Sequence, residues 1–282
     1  MFNLNDNELY KYINEDLPFL DYTTFLQDTK DKKATLQIYT REDIIVSCSE
    51  EAARIAELLG CKVKKLIASS TKLEKGNTIL KIKGKYEDIH KTIKLSQILL
   101  EYSCKISTTT YKMIEILKSH NNSCELLTTR KTIPFNKKMC IKAILSGGAL
   151  PHRLGLSDSI LYFDYHRKLY NSNEQFYKQM VLLKNRLPEK RLVVESKQLE
   201  DSIELINNNI DVIQLDKVDI DTTKKIIEYK NKKNSNIKIL LAGGINLSNI
   251  QEYAKLNADG IVTSSMYSCG MSNIGCNLKI KE

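Results

Sequence analysis

In the second half of the chain, short apolar runs return again and again, each closed by polar residues or glycine. They are Glu125-Leu126-Leu127, Ile160-Leu161-Tyr162-Phe163, Leu192-Val193-Val194, Val212-Ile213-Gln214-Leu215, the run 237–241 and Gly260-Ile261-Val262. Runs of this length with polar boundaries read as buried strands. Between them lie stretches of helical spacing at 174–185, 199–208, 221–232 and 247–256. In the last, Ile250, Tyr253 and Ala254 share a face. Strands that alternate with helices predict βαβ units and a parallel sheet. Their number predicts a closed or nearly closed α/β barrel.

The first half follows another rhythm. Residues 5–15 have helical spacing, 34–40 alternate like a strand, and Ile44-Ile45-Val46 suggests a second strand. Ser49 is placed to cap a helix whose first turn holds Glu50 and Glu51. Residues 77–84 alternate again, and a long helix is expected from 86 to about 102. This is an α+β domain. The tail 277–281 alternates too and is expected to return to this first sheet. The boundaries expected are 1–112 for the first domain and 113–273 for the barrel, with 274–282 rejoining the first.

Barrels of this type carry their active sites at the carboxyl ends of the strands. After the apolar runs come Thr129-Arg130-Lys131, Asp164-Tyr165-His166, Glu195, Asp216-Lys217, Gly243-Gly244 and Thr263-Ser264-Ser265, with His152-Arg153 in the intervening segment. Polar residues end strands for purely structural reasons as well, which explains any one of these better than all of them. Gly243 and Gly244, beside Ser264 and Ser265, suit a phosphate, because glycines let backbone N–H groups approach an anion. Glu195 and Asp216 suit Mg²⁺ or an oxocarbenium-like centre. An ordinary salt bridge to Lys131 or Lys217 is the bland reading of either. Arg130, Lys131, His152 and Arg153 suit a polyanion, although a lysine at a strand end can also form a Schiff base. His166 reads equally well as a structural histidine, and His90 and His120 fall in helical stretches.

Composition narrows the classes. A chain of 282 residues has room for two cores. No long uncharged apolar stretch suggests a membrane span, and the first residues lack the pattern of a signal peptide, so a cytoplasmic protein is expected. The net charge is +9, from 43 basic and 34 acidic residues, but the lysines are spread along the chain without interleaved aromatics, so no nucleic-acid partner is expected. Seven dispersed cysteines without C-x-x-C spacing argue for free thiols rather than zinc or disulfides.

Taken together, Thr129-Arg130-Lys131-Thr132-Ile133-Pro134, Gly147-Gly148, His152-Arg153-Leu154-Gly155-Leu156-Ser157-Asp158, Leu215-Asp216 and Ala242-Gly243-Gly244-Ile245-Asn246 resemble the quinolinate phosphoribosyltransferase (nicotinate-nucleotide pyrophosphorylase, carboxylating) family. The resemblance runs nearly end to end and includes the segment 15–24. Lys94, the segment 97–102 and Phe163 look most like its ModD branch, which is associated with molybdenum transport. The resemblance implies an N-terminal sandwich, an incomplete TIM-like barrel and a homodimer or higher oligomer with shared active sites. It implies transfer of ribose 5-phosphate from phosphoribosyl pyrophosphate (PRPP), with Mg²⁺, to a pyridine-like aromatic acid. By matching positions, Lys131, Glu195 and Asp216 are catalytic, the two carboxylates also binding metal. Lys94, Arg130, His152, Arg153, Phe163, Gly243, Gly244, Ser264 and Ser265 bind substrate, with Lys94 serving the neighbouring subunit. Two departures stand out: Phe163 occupies a position where lysine is usual, with Tyr165 where the same segment has asparagine, and Lys94 occupies one where arginine is usual. Loss of a cation puts quinolinate in doubt as the acceptor. The alternative is an oxyanion- or nucleotide-binding barrel in molybdenum metabolism without quinolinate activity.

Overall fold

The computed structural model describes residues 1–120 and 123–281. The strands are β1 (Lys33–Thr40), β2 (Ile44–Ile45), β3 (Lys62–Leu66), β4 (Lys72–Leu73), β5 (Thr78–Lys85), β6 (Glu125–Thr128), β7 (Leu150–Pro151), β8 (Ile160–Tyr162), β9 (Leu192–Ser196), β10 (Val212–Asp216), β11 (Lys238–Ala242), β12 (Gly260–Thr263) and β13 (Ile274–Lys281). Two compact units form, and they do not simply follow chain order. One holds Met1–Tyr111, Thr132–Gly148 and Met266–Glu282; the other holds Lys112–Lys131 and Ala149–Ser265.

The first unit is built on an antiparallel sheet of order β13-β1-β5-β3. In β1, Ala34, Leu36, Ile38 and Thr40 are buried while their neighbours are half exposed, the period-two pattern of a strand with one wet face. Its buried face joins Ile79, Leu80, Ile82, Ala52, Ala56 and Leu100 in one core. In the helix Ser49–Leu58 the N-cap position falls on Cys48, in the left-handed region and without a side-chain capping hydrogen bond, and Ser49 is already the first helical residue. Glu50 and Glu51, expected there only as first-turn acids, are ligated from elsewhere in the unit.

Lys142 is the centre of that ligation. It lies in the helix Lys137–Ser146, nearly all of which is buried. Its side chain and that of Glu51 are each 1 % exposed. The ammonium donates to both Glu51 oxygens at 2.7 Å, to Asn3 Oδ1 at 2.8 Å and to Glu50 Oε2 at 3.0 Å. Burial alone would lower the lysine pKa, but Glu51 and Glu50 raise it above its usual value. Burial likewise pushes the Glu50 carboxyl up, but hydrogen bonds from Ser69 and Lys142 hold it down at about 2.

The second unit is a parallel sheet of order β7-β6-β12-β11-β10-β9-β8. Its end strands β7 and β8 do not pair among the described residues, so the barrel is incomplete. Leu161, Val193, Val212, Leu240, Ala242 and Val262 fill its interior. Alternation then fixes what stands above them: Glu195 shares a face with Val193, and Gln214 and Asp216 share one with Val212. The end of β9 is braced by Asp201, whose carboxylate accepts from Arg167 at 2.6 and 2.8 Å and from the Ser196 hydroxyl at 2.6 Å.

All seven cysteines are free; Cys48, Cys61, Cys104, Cys124 and Cys140 are buried, and burial pushes the Cys104 and Cys124 thiols up to about 12. Among the described residues no helix is long and apolar enough to cross a membrane.

Candidate active site

A cavity of about 530 Å³ opens at the carboxyl ends of the parallel strands, within the second unit. Every site residue expected from the sequence lines it except Lys94. Lys94 is exposed on the helix Tyr86–His120 in the first unit, where it donates to Gln97 Oε1 at 3.2 Å.

The cationic side of the cavity comes from β6 and β7. Beyond β6, the Thr129 N–H donates to the Thr263 carbonyl at 3.0 Å, and the Lys131 N–H to Thr129 Oγ1 at 3.0 Å. This turn carries Arg130 and Lys131, both exposed. Beyond β7, the His152 N–H donates to the Thr128 carbonyl at 2.8 Å. Arg153 follows, only 8 % exposed. Arg130, Lys131 and Arg153 form no ion pair among the described residues. Burial, then the charge of Arg130, pull the Arg153 pKa down. Its guanidinium instead stands over the Phe163 ring, 5.7 Å from the centroid. Phe163 therefore does more than delete a cation, since its face seats one.

The imidazole of His152 is pulled down to about 4 by burial and then by Arg153. An unfolded histidine titrates near 6.5 by general reference values. The depressed value means that the neutral ring favours the fold above about 6.5, and that this contribution is lost as pH falls toward about 4. A bound polyanion favours the charged ring and raises its pKa. Followed by NMR, the His152 midpoint is expected near 4 in the free protein, moving up by about a unit or more with inorganic pyrophosphate. A midpoint near 6.5 without ligand would rule out the buried, cation-flanked environment.

The anionic side comes from β9 and β10. Glu195 is 8 % exposed, and its pKa is raised by burial and then by the charge of Asp216. The nearest cation is Lys197, 3.8 Å from Glu195 Oε1 and 2.6 Å from Asp164 Oδ2. Neither Lys131 nor Lys217 is the salt-bridge partner. His166 acts locally: its Nδ1 accepts from the Phe163 N–H at 3.0 Å and its ring stacks on Phe163.

Between the two sides lies the glycine loop. Gly243 and Gly244 have φ of +90° and +77°. A Cβ at Gly243 would stand 2.7 Å from the Lys217 backbone nitrogen and 2.8 Å from Asp216 Oδ1, so only glycine fits beside that carboxylate. The loop is tied to β12, where Thr263 Oγ1 donates to the Ile245 carbonyl at 2.6 Å. The helix expected at 247–256 contracts to Ile250–Ala254, too short for a strong terminal dipole. The candidate anion donors are therefore the backbone of Gly243 and Gly244 with the Ser264–Ser265 segment.

Gln214 also lines the cavity. It carries no strand-end position, and its signal in the sequence is one polar side chain inside an apolar run.

Residues 21–104 match the family description "Quinolinate phosphoribosyl transferase, N-terminal domain", and residues 106–272 match the corresponding C-terminal domain. The "Putative pyrophosphorylase ModD" of Pasteurella multocida is 30 % identical over 274 residues, 97 % of each chain. The "Probable nicotinate-nucleotide pyrophosphorylase (carboxylating)" of Methanocaldococcus jannaschii is 30 % identical over 272 residues, 94 % of each. Among solved structures, NadC from Streptococcus pyogenes superposes with a TM-score of 0.88 at 21 % identity, covering all of both chains.

Proposed function

The chain belongs to the quinolinate phosphoribosyltransferase family and is thereby a pentosyltransferase, and from that premise we propose that it transfers ribose 5-phosphate from PRPP to a pyridine-like aromatic acid. The observation that supports this most directly is Arg153. An arginine that is only 8 % exposed as a residue, lines the cavity and forms no ion pair among the described residues is a costly arrangement in a protein awaiting no anion.

In this reading Arg130, Lys131 and Arg153 bind the negative groups of PRPP and acceptor, and Gly243, Gly244, Ser264 and Ser265 receive the 5-phosphate. Glu195 and Asp216 flank the ribose, where two carboxylates stabilise positive charge that develops at the anomeric carbon. The acceptor nitrogen forms the new C–N bond as the C–O bond to pyrophosphate breaks, and pyrophosphate leaves with the electron pair. Two carboxylates are too few to cage a cation, but they fit Mg²⁺ that completes its shell with water and substrate oxygens. Bound there, the ion would offset the charge of the leaving pyrophosphate. No group of three or more protein ligands competes for that role among the described residues.

We take the acceptor to carry fewer negative groups than quinolinate, because Phe163 stands where a further cation would be needed. We also take the working form to be at least a dimer, Lys94 serving a second copy. Lys94 is exposed, and Phe19, Tyr22, Phe25 and Leu26, close together in sequence in the same unit, are exposed large side chains of the kind that subunit contacts cover.

Replacing Arg153 with alanine should weaken PRPP binding by at least about tenfold, the usual scale for a lost charge-assisted hydrogen bond. Calorimetry with Mg²⁺ present measures this, with circular dichroism as a check that the fold persists. Unchanged affinity would remove the observation on which the phosphate reading stands.

A further inference from the structure

Gln214 is the uncharged amide on the anionic side of the cavity, and the transfer chemistry above does not use it. It sits in the interior of β10 and is 6 % exposed. Its Oε1 is buried and has no hydrogen-bond partner. Native proteins keep few such atoms, because an unpaired buried acceptor forfeits what it gave up in water. In register Gln214 lies directly opposite Glu195 on β9. In sheet order β10 is separated from β6 by β11 and β12. Of the cations that line the cavity, Arg130, Lys131 and Arg153 follow β6 and β7 and Lys217 follows β10, so the denser positive charge for a ligand's carboxylate lies on the β6–β7 side. A carboxylate placed at Gln214 would instead meet the negative charge of Glu195, next to an acceptor oxygen.

We propose that Gln214 determines acceptor specificity by taking a hydrogen bond from an uncharged N–H donor on the aromatic ring. The inference rests on the reading of this cavity as the phosphoribosyl-transfer site. It specifies the acceptor class: a nitrogen heterocycle with one carboxylate for the β6–β7 cations and an amino-type donor for Gln214. The amide turns easily about its last torsion, so its oxygen is available once a donor enters.

The test uses nicotinate and its 2-, 5- and 6-amino derivatives, titrated by calorimetry into protein saturated with Mg²⁺ and inorganic pyrophosphate. At least one amino isomer should bind the wild type about tenfold tighter than nicotinate, the scale of one well-formed hydrogen bond to a buried acceptor. In Gln214→Met, which keeps the length of the side chain and removes the amide, that advantage should fall below about twofold. Gln214→Leu serves as a second apolar variant. An amino advantage that is absent in the wild type, or that survives in the variants, overturns the proposal. PRPP affinity, measured in the same proteins, separates the two failures. Normal PRPP binding without amino discrimination sinks only the role of Gln214, whereas no PRPP binding by the wild type sinks the transferase reading beneath it.

Discussion

Asp216→Asn and Glu195→Gln should each lower kcat/KM for the transfer by about a hundredfold or more, the scale of losing one preorganised electrostatic partner of a transition state. They should do so without loss of stability. Glu195 is buried beside Asp216, and both burial and that neighbour raise its pKa. A carboxyl with a raised pKa supports the fold at low pH, and that support fades as pH rises through its folded value. At neutral pH either neutral variant relieves the repulsion, so its thermal midpoint should match or exceed that of wild type. The gain should shrink in acid, below about 4.5 for Glu195→Gln, where the wild-type carboxyl is protonated as well. Steady-state kinetics and thermal melts read the two halves of this expectation. Full activity in both variants would exclude the carboxylates from the chemistry. Lost activity with a collapsed melting point would make them structural.

The largest stability effect should come from Lys142→Met, with a loss of about 3–5 kcal/mol, because it leaves a buried carboxylate without its cation. Glu51 is 1 % exposed and bound by Lys142 through both oxygens, with the Leu4 N–H at 3.0 Å as a further donor. The double variant Lys142→Met with Glu51→Gln removes the stranded charge and should recover a large part of the loss. Urea unfolding followed by circular dichroism measures both. A loss below about 1 kcal/mol in the single variant would mean that the network is solvated rather than buried. The same network gives an acid signature. The Glu50 carboxyl is held down at about 2, so its contribution is complete above the unfolded value of about 4.5 and disappears as pH falls toward about 2.

The strands and helices of the barrel were legible wherever one face of an element is apolar and its ends are polar. The run Val212-Ile213-Gln214-Leu215 became β10, and 174–185 became the helix Asn173–Arg186. Elements without that contrast were not legible. β3, Lys-Val-Lys-Lys-Leu, is mostly exposed and is held at the sheet edge by its ladder to β5. The helix Lys137–Ser146 is buried nearly all round, so its period leaves no polar stripe to see. The long helix was expected to end near Tyr102 yet reaches His120. Its serine- and threonine-rich continuation looks like a helix breaker. In the fold the Ser103, Thr108 and Thr110 hydroxyls donate to carbonyls four residues back, and packing overrides propensity.

The candidate site followed the same logic. Arg130, Lys131, Arg153, Glu195, Asp216, Gly243 and Gly244 stood out because each breaks an apolar run or follows one, and strand ends in a parallel barrel converge. Lys197 was not legible as the neighbour of Glu195, because a lysine two residues past a carboxylate gives no sign of where it points. The role of Phe163 as a seat for Arg153 was hidden for a different reason. It depends on the curl of the sheet, which brings the segments after its two end strands β7 and β8 together and which no local pattern records.

Release of pyrophosphate from PRPP, assayed with Mg²⁺ in the presence and absence of nicotinate, its amino derivatives or quinolinate, bears most directly on the activity. Release that requires an acceptor, is slower with quinolinate than with a monocarboxylate, and disappears in Asp216→Asn is the expected result. A wild-type protein that neither binds PRPP with Mg²⁺ nor releases pyrophosphate with any of these acids would contradict the assignment of this cavity to phosphoribosyl transfer.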